Sequence, residues 1–420
     1  MDKRVYRIWL SLACTPGSTT FKSLLEGFSS AEEIYMADAD RIAARITSKS
    51  KDYPRLLNKD LARAEQIDYF CQTKGVGIIS YFDRGYPAML KNIPTPPVLL
   101  YYRGTVPDFD EVFGVSIVGT RRLTDYGRKN AFMIAYDMAR AGATVISGMA
   151  IGVDGVAHAG ALAAGKSTVA VIGSGIDVLY PKDHGNLARA IVKDGCVLTE
   201  YAPGTKPEKF NFPVRNRIIS ALSLATVVIE GRERSGAIIT ARHALEQGRD
   251  LYALPGNVGS PTSQLTNLLI KNGARLCTGA DDIVRDFEIR SRGKLNPHEL
   301  AKDAPVSIMD ALTLYGVSCV TSDDKIFRPS KKREEKREKK EKDVNKEVIS
   351  SEEKKADADL SSFDKTALEI YKRIPTEGDC AVESLVGDGL SFRDVMRGLL
   401  KLEMGCFIVM LPGERVRRNF

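Results

Sequence analysis

The chain has 420 residues, 43% of them hydrophobic, enough to build two or three domains with real apolar cores, which excludes a fibrous or wholly disordered protein. Its formal charge of +7 favours a polyanionic partner only where the positive residues gather in one place. It contains no run of about 18 apolar residues, and the opening MDKRVYRIWLSLACTPG holds too short an apolar stretch for a secretory signal, so a cytoplasmic protein without a membrane span is expected.

Seven cysteines (Cys14, Cys71, Cys196, Cys277, Cys319, Cys380 and Cys406) never fall in CxxC pairs, and there are four histidines. Neither a metal site nor a disulfide framework is expected, and the thiols read as buried and reduced.

Residues 1–70 repeat apolar positions at helical spacing in TTFKSLLEGF, SAEEIYMA and LARAEQIDYFCQTKG. They form a small helical domain with no polar cluster, which points to packing or dimerisation. Residues 71–111 connect it to the next domain through a strand, a turn, a short helix and a proline-punctuated strand.

From 112 to 290, strands at 115–118, 144–147, 168–172, 196–199, 226–230 and 250–254 alternate with amphipathic helical stretches. Such alternation predicts an α/β fold with a doubly wound, mostly parallel sheet and helices on both faces. In its first unit, VSIVGTRRLTDYGRKNAFMIAYDMARAGATVISGMAIGVD, a strand turns at Gly119 into a helix from Tyr126 to about Ala141, and a second strand turns at Gly148. Both turns open on one edge, where helix N-termini and glycines admit an anion to the backbone.

Residues 291–361 include KKREEKREKKEKDVNKEVISSEEKKADAD, almost free of apolar side chains, and read as a charged, disordered linker. Residues 362–420 regain apolar periodicity in the order of a winged helix: three helices, a strand, a Pro-Gly turn and a basic strand. Ser391 is placed to cap the third helix. Arg393 and Arg397 on that helix suit a DNA groove and a protein contact equally.

The first βα turn lacks the GxGxxG fingerprint and no Walker lysine occurs, so no nucleotide cofactor is expected. The stretch KPEKFNFPVRNRIISALS (206–223) carries Lys206, Lys209, Arg215 and Arg217 around Phe210 and Phe212, with Asn211 and Asn216 between. Cations beside aromatics hold phosphates while stacking unpaired bases, which points to a single-strand binder. Read as a strand, the segment turns both phenylalanines the same way, and one of the two is expected to be a core anchor. Asp154, His158, Asp177, Glu200 and Glu230 lie near strand ends but make no catalytic constellation. Asp154 reads as a helix N-cap, and His158 as a satisfied core or cap partner.

The motifs GTRxxxxYG (119–127), SGMAIGVDGVAHAGAL (147–162), VIGSGIDVLYP (171–181), EYAPGTKPEKFNFPVRNRIISALS (200–223), SGAIITARHALEQGRD (235–250) and LPG (254–256) together resemble the DNA-processing protein A family, also called DprA or Smf. That resemblance implies a Rossmann-like domain between a small helical, SAM-like domain and a winged-helix domain. It implies no catalysis, but a protein that binds and protects incoming single-stranded DNA in natural transformation and hands it to the recombinase RecA, usually as a homodimer. A single-strand-binding protein is a further expected partner.

The family's strand-binding pocket, carried over, falls on Arg121, Gly148, Lys166, Lys209, Phe212, Arg215, Asn216 and Arg217. His184 stands where the family usually has asparagine, and Leu265 where it has glycine. The alternative is a nucleotide-binding enzyme of phosphoribohydrolase type, whose PGGxGTxxE loop corresponds to LPGNVGSPTSQ (254–264), here without the catalytic glutamate.

Overall fold

The computed structural model describes residues 3–300 apart from 234 and 292, residues 307–321 apart from 319, and residues 365–418 apart from 377, 388–389, 393, 396–397, 400–401, 403–406 and 412–414. Short helices open the chain: α1 (Lys3–Ala13), α2 (Thr20–Leu25), α3 (Ala31–Met36), α4 (Ala39–Ala43), α5 (Tyr53–Leu57) and α6 (Ala62–Thr73). Ser30 and Asp38 cap α3 and α4, accepting from the N–H groups of Glu33 and Arg41. The apolar face of α1, with Ile8, Trp9 and Leu10, is buried. That core continues into Tyr101, Ala170 and Val197 of the sheet, so the helical segment shares its interior with the α/β part.

Then come β1 (Gly77–Ser80), α7 (Ala88–Lys91), β2 (Leu99–Gly104), β3 (Phe113–Val118), β4 (Arg122–Leu123), α8 (Asp125–Arg140), β5 (Ala143–Ser147), α9 (Val153–Ala163), β6 (Thr168–Val171), α10 (Gly185–Asp194), β7 (Cys196–Thr199), α11 (Asn211–Ala221), β8 (Ala225–Val228), α12 (Ala237–Glu246), β9 (Asp250–Ala253), α13 (Gln264–Lys271), β10 (Arg275–Leu276), α14 (Ala280–Phe287), α15 (Ile308–Leu314) and β11 (Val320–Thr321). One nine-stranded sheet runs in the order β1-β2-β7-β6-β5-β3-β8-β9-β10. From β7 to β10 every pairing is parallel, as expected from the βα alternation. The strands β1 and β2, from the segment expected only to connect, extend the sheet antiparallel beyond β7.

Apolar side chains fill both faces. Phe113, Val115, Phe132 and Val156 belong to one layer, and Val118, Ile146, Ile218 and Leu251 to the other. Chain order leaves β3 towards β5 on one side and returns to β8 on the other, so the direction of winding reverses between β3 and β8. In doubly wound sheets that switch point opens a crevice at the carboxyl ends of the strands.

The linker expected from residue 291 begins later than charge alone suggests. Ile308–Leu314 is helical, with Ala311 and Leu312 buried in the sheet-covering layer, and Val320–Thr321 pairs parallel with β4. All of residues 325–360, the core of the expected linker, lie outside the described residues, as do Arg393 and Arg397.

The chain divides into two compact units, Met1–Ile326 and Phe327–Phe420. In the second, α16 (Lys365–Arg373) precedes β12 (Cys380–Ala381), β13 (Ile408–Leu411) and β14 (Arg415–Arg418), an antiparallel sheet in the order β12-β14-β13. Ile370, Leu385, Leu399 and Val416 form its core. Ser391 accepts from the Asp394 N–H at 3.2 Å, the cap its position foretells. Cys14, Cys71, Cys196 and Cys277 are free and buried, and burial pushes the Cys71 thiol up to about 11.

Candidate nucleic-acid interface

At the switch point a cleft of about 690 Å³ opens between the turn after β3, the start of α11 and the start of α12. Gly119 makes this meeting possible. A Cβ there would stand 2.6 Å from Val153 Cγ2 and 2.9 Å from the Glu230 carbonyl, so only glycine lets β3, β8 and α9 converge this closely. The Thr120 N–H then donates to the Glu230 carbonyl at 2.8 Å, which fixes the turn carrying Arg121.

Thr120, Arg121, Asp154, Tyr180, Lys209, Phe212, Arg215, Asn216 and Ser235 line the cleft. Arg121 and Lys209 are exposed, and Phe212 and Asn216 are half-buried. The Arg121 guanidinium lies 5.7 Å from the Phe212 ring centroid and that of Arg215 lies 6.0 Å from it. The Tyr180 ring stands 5.4 Å away, tilted by 38°. Phe212 is therefore a ring held between cations and a second aromatic, with room beside it.

The two phenylalanines do not point the same way, because Asn211 begins a helix rather than a strand. Residues two apart on a helix are separated by about 200°. Phe210 goes to solvent, 66% exposed, while Phe212 faces the cleft.

Residues 77–288 match the sequence profile of the family described as DNA recombination-mediator protein A. DNA processing protein DprA of Bacillus subtilis is 36% identical over 254 residues, covering 60% of this chain and 83% of that one. The chain belongs to the DNA recombination-mediator protein A family. DprA of Streptococcus pneumoniae is 41% identical over 209 residues, half of this chain and 73% of its own. Its X-ray structure is similar over 69% of this chain and 99% of that one, with a TM-score of 0.60 and 32% identity.

Within this family member, three of the expected pocket residues have other surroundings. Lys166 follows α9 and precedes β6, which begins at Thr168 and runs parallel to β5. It therefore lies at the amino ends of the strands, on the edge opposite Arg121. Arg217 is 4% exposed and forms a two-pronged pair with Glu200, while its Nε donates to the Thr95 carbonyl. Its charge is spent inside the protein. Burial works against that charge, but Glu200 outweighs it and raises the pKa.

Gly148 is buried, and a Cβ on it would meet Arg215 Nη1 at 2.5 Å and Asp154 Oδ2 at 2.6 Å. Its bare face admits a guanidinium and a carboxylate of the protein, not a phosphate. Arg215, also 4% exposed, donates from Nη1 to the carbonyls of Gly148 and Val171 and so pins the ends of β5 and β6. Burial lowers its pKa to about 10, which leaves it charged at neutral pH as part of the floor. Arg121, Lys209, Phe212 and Asn216 are brought together as expected.

The carboxylates near the strand ends are engaged. Glu230 accepts from the Thr124 N–H at 3.0 Å and from the hydroxyls of Thr124 and Thr262 at 2.6 and 3.3 Å, tying the start of α8 to two loops. Asp177 accepts from the Gly204 N–H at 2.8 Å. Asp154 is not the cap of α9; that position is Gly152, and the Asp154 carboxylate lies beside the Arg215 guanidinium at Gly148, its pKa raised by burial against the pull of that charge. His158 is a core histidine: Nδ1 bonds the Thr168 hydroxyl at 2.8 Å.

Sequence reasoning gave Tyr180 no role, although it lies in the motif VIGSGIDVLYP; an aromatic just beyond a glycine-rich turn at a strand's carboxyl end is the signal that marks it. Ser235 and Gly236, which open the motif SGAIITARHALEQGRD, complete the lining.

Proposed function

We propose that this chain binds single-stranded DNA in the cleft at the β3–β8 switch point and passes it to RecA as a recombination mediator in transformation, with no reaction of its own. The observation that carries the reading is the stack of Arg121 over Phe212 in a cleft also lined by Lys209 and Asn216. A guanidinium neutralises phosphate, an aromatic face holds any unpaired base, and duplex DNA hides those faces.

Exposed Lys206, Arg122 and Arg232 also follow the carboxyl ends of strands, which supports a backbone track longer than the cleft itself. The engagement of Glu200 and Glu230 in internal bonds supports a binding role over a hydrolytic one. On this reading the α/β part carries the DNA, and the helical segment serves packing. The C-terminal unit acts as a winged helix, the protein works as a cytoplasmic homodimer, and a single-strand-binding protein is a further partner.

A salt titration of binding to single-stranded and duplex oligonucleotides tests it. Single strands bind more tightly, with log K falling linearly in log salt. Equal affinity for both, or release of free base from a nucleoside monophosphate, overturns the reading.

A further inference from the structure

Outside the cleft lining, the segment Tyr315–Ser318 with Val320–Thr321 reaches both of its walls. β11 adds a parallel strand to β4, with Val320 opposite Arg122 and Thr321 opposite Leu123, directly after the Arg121 that lines the cleft. Two residues before Val320, the Ser318 N–H donates to His184 Nε2 at 3.2 Å. His184 in turn holds the Met149 carbonyl through Nδ1 at 3.0 Å. A carbonyl can only accept, so Nδ1 carries the proton and Nε2 is free to receive Ser318. Met149 adjoins Ala150 of the cleft lining, and His184 closes the turn that begins at Tyr180 and Pro181.

Packing under the segment is close. A Cβ on Gly155 would stand 2.7 Å from His184 Cε1 and 3.1 Å from Val317 Cγ1, so α9, the imidazole and the segment share one spot. His184 is fully buried there.

From this juxtaposition we infer that Tyr315–Ser318 and Val320–Thr321 form a positioning strap, joining the wall that carries Arg121 to the wall that carries Tyr180 and setting the width in which DNA is held. The inference rests on the single-strand reading of the cleft. Tyr315 and Val317 anchor the strap's start in the core, but beyond Val317 the described attachment is two residues of ladder and one histidine bond, so that end opens locally far more readily than the sheet beneath it. Because only the closed strap holds Arg121 and Tyr180 at the spacing that grips a strand, bound DNA stabilises closure, and closure tightens DNA by the same factor. Ser318 and His184 are thus positioning residues that touch no DNA.

The test is hydrogen exchange on the full chain with and without a saturating thymidine oligonucleotide, read together with affinity. DNA is expected to slow exchange several-fold at 119–123, and equally at 315–321, none of whose described residues lines the cleft. Ser318→Pro, which deletes the donated N–H, is expected to weaken binding about tenfold, while Ser318→Ala, which keeps it, binds as the parent does. Slowing at 119–123 with none at 315–321 overturns the strap and leaves the binding reading intact; so does a Ser318→Pro protein with a freely exchanging segment and parental affinity. No binding by the parent protein overturns both. Should Ser318→Pro fail to fold, the exchange comparison on the parent decides alone.

Discussion

Arg217 and Glu200 meet in a two-pronged ion pair, Nη1 to Oε1 at 2.6 Å and Nη2 to Oε2 at 2.7 Å, with each side chain only 5% exposed. The pair ties α11 to the segment after β7 and carries no charge outward. Arg217→Ala strands a buried carboxylate and is expected to cost about 3–5 kcal/mol of stability, read from denaturant unfolding. Joint replacement, Arg217→Met with Glu200→Leu, is expected to recover most of it. A stable Arg217→Ala protein with weakened DNA binding would instead return this arginine to the interface.

Arg121 and Lys209 are the opposite case, exposed cations whose loss leaves the core alone. Arg121→Ala and Lys209→Ala are each expected to keep stability within roughly 0.5 kcal/mol of the parent. Each is expected to lower single-strand affinity and to reduce the slope of log K against log salt by about 0.7. Slopes equal to the parent's in both variants would remove the two residues from the phosphate track.

Most of the parallel sheet was legible because its strands are short β-branched runs bounded by glycines: the expected strand at 115–118 is the end of Phe113–Val118, and that at 196–199 is β7 itself. What local pattern does not carry is pairing over distance. Tyr101 opposite Thr199, Thr321 opposite Leu123 and His184 beneath Ser318 each join remote stretches without a local signature. The pocket was half legible for the same reason. Residue type marks Arg121, Arg215 and Arg217 alike as cations, but burial and the partner Glu200 decide which charge reaches a ligand. Lys166 is different: a residue between a helix and the strand after it lies at the amino edge of a parallel sheet, and the βα order alone places it there.

Phe212 is expected to contribute by stacking. Its ring rests on Gly173, whose Cβ, if present, would come within 3.0 Å of Phe212 Cδ1, and it presents its remaining surface to the cleft. Phe212→Ala is expected to cost about 1–3 kcal/mol of single-strand binding, and Phe212→Tyr much less. Phe210→Ala, on the solvent side, serves as the control and binds as the parent does. Equal losses at both positions, measured by fluorescence anisotropy, would show that the cleft does not distinguish them.

Lys166→Ala is expected to leave both the affinity for a short oligonucleotide and its salt slope unchanged, since the opposite edge of the sheet is out of reach of a strand held beside Phe212. A slope reduced to the extent expected for Arg121→Ala would mean that the bound strand wraps around the α/β part.

His158 and His184 are both buried as neutral imidazoles. The Thr168 hydroxyl gives its proton to the Val145 carbonyl, so it accepts from His158 Nδ1, and His158 Nε2 is left buried without a partner among the described residues. Burial lowers the His158 pKa from 6.5 to about 3, with His184, once it takes up a proton, and the Arg215 charge adding to the effect. Burial lowers His184 as well, against the Met149 carbonyl and Asp154, which favour its charged form. The unfolded chain therefore takes up these protons at higher pH than the folded one. Their contribution to stability is complete above the ordinary histidine pKa and is lost as pH falls from there towards the folded value, at roughly 1.4 kcal/mol per pH unit for each titrating proton. Melting the parent and His158→Gln across pH 7.5 to about 5 checks this. The parent is expected to lose stability steeply below about 6.5, and the variant, with one titrating imidazole fewer, more shallowly. Parallel curves would mean that His158 is hydrated and protonates as freely in the folded protein as in the unfolded chain.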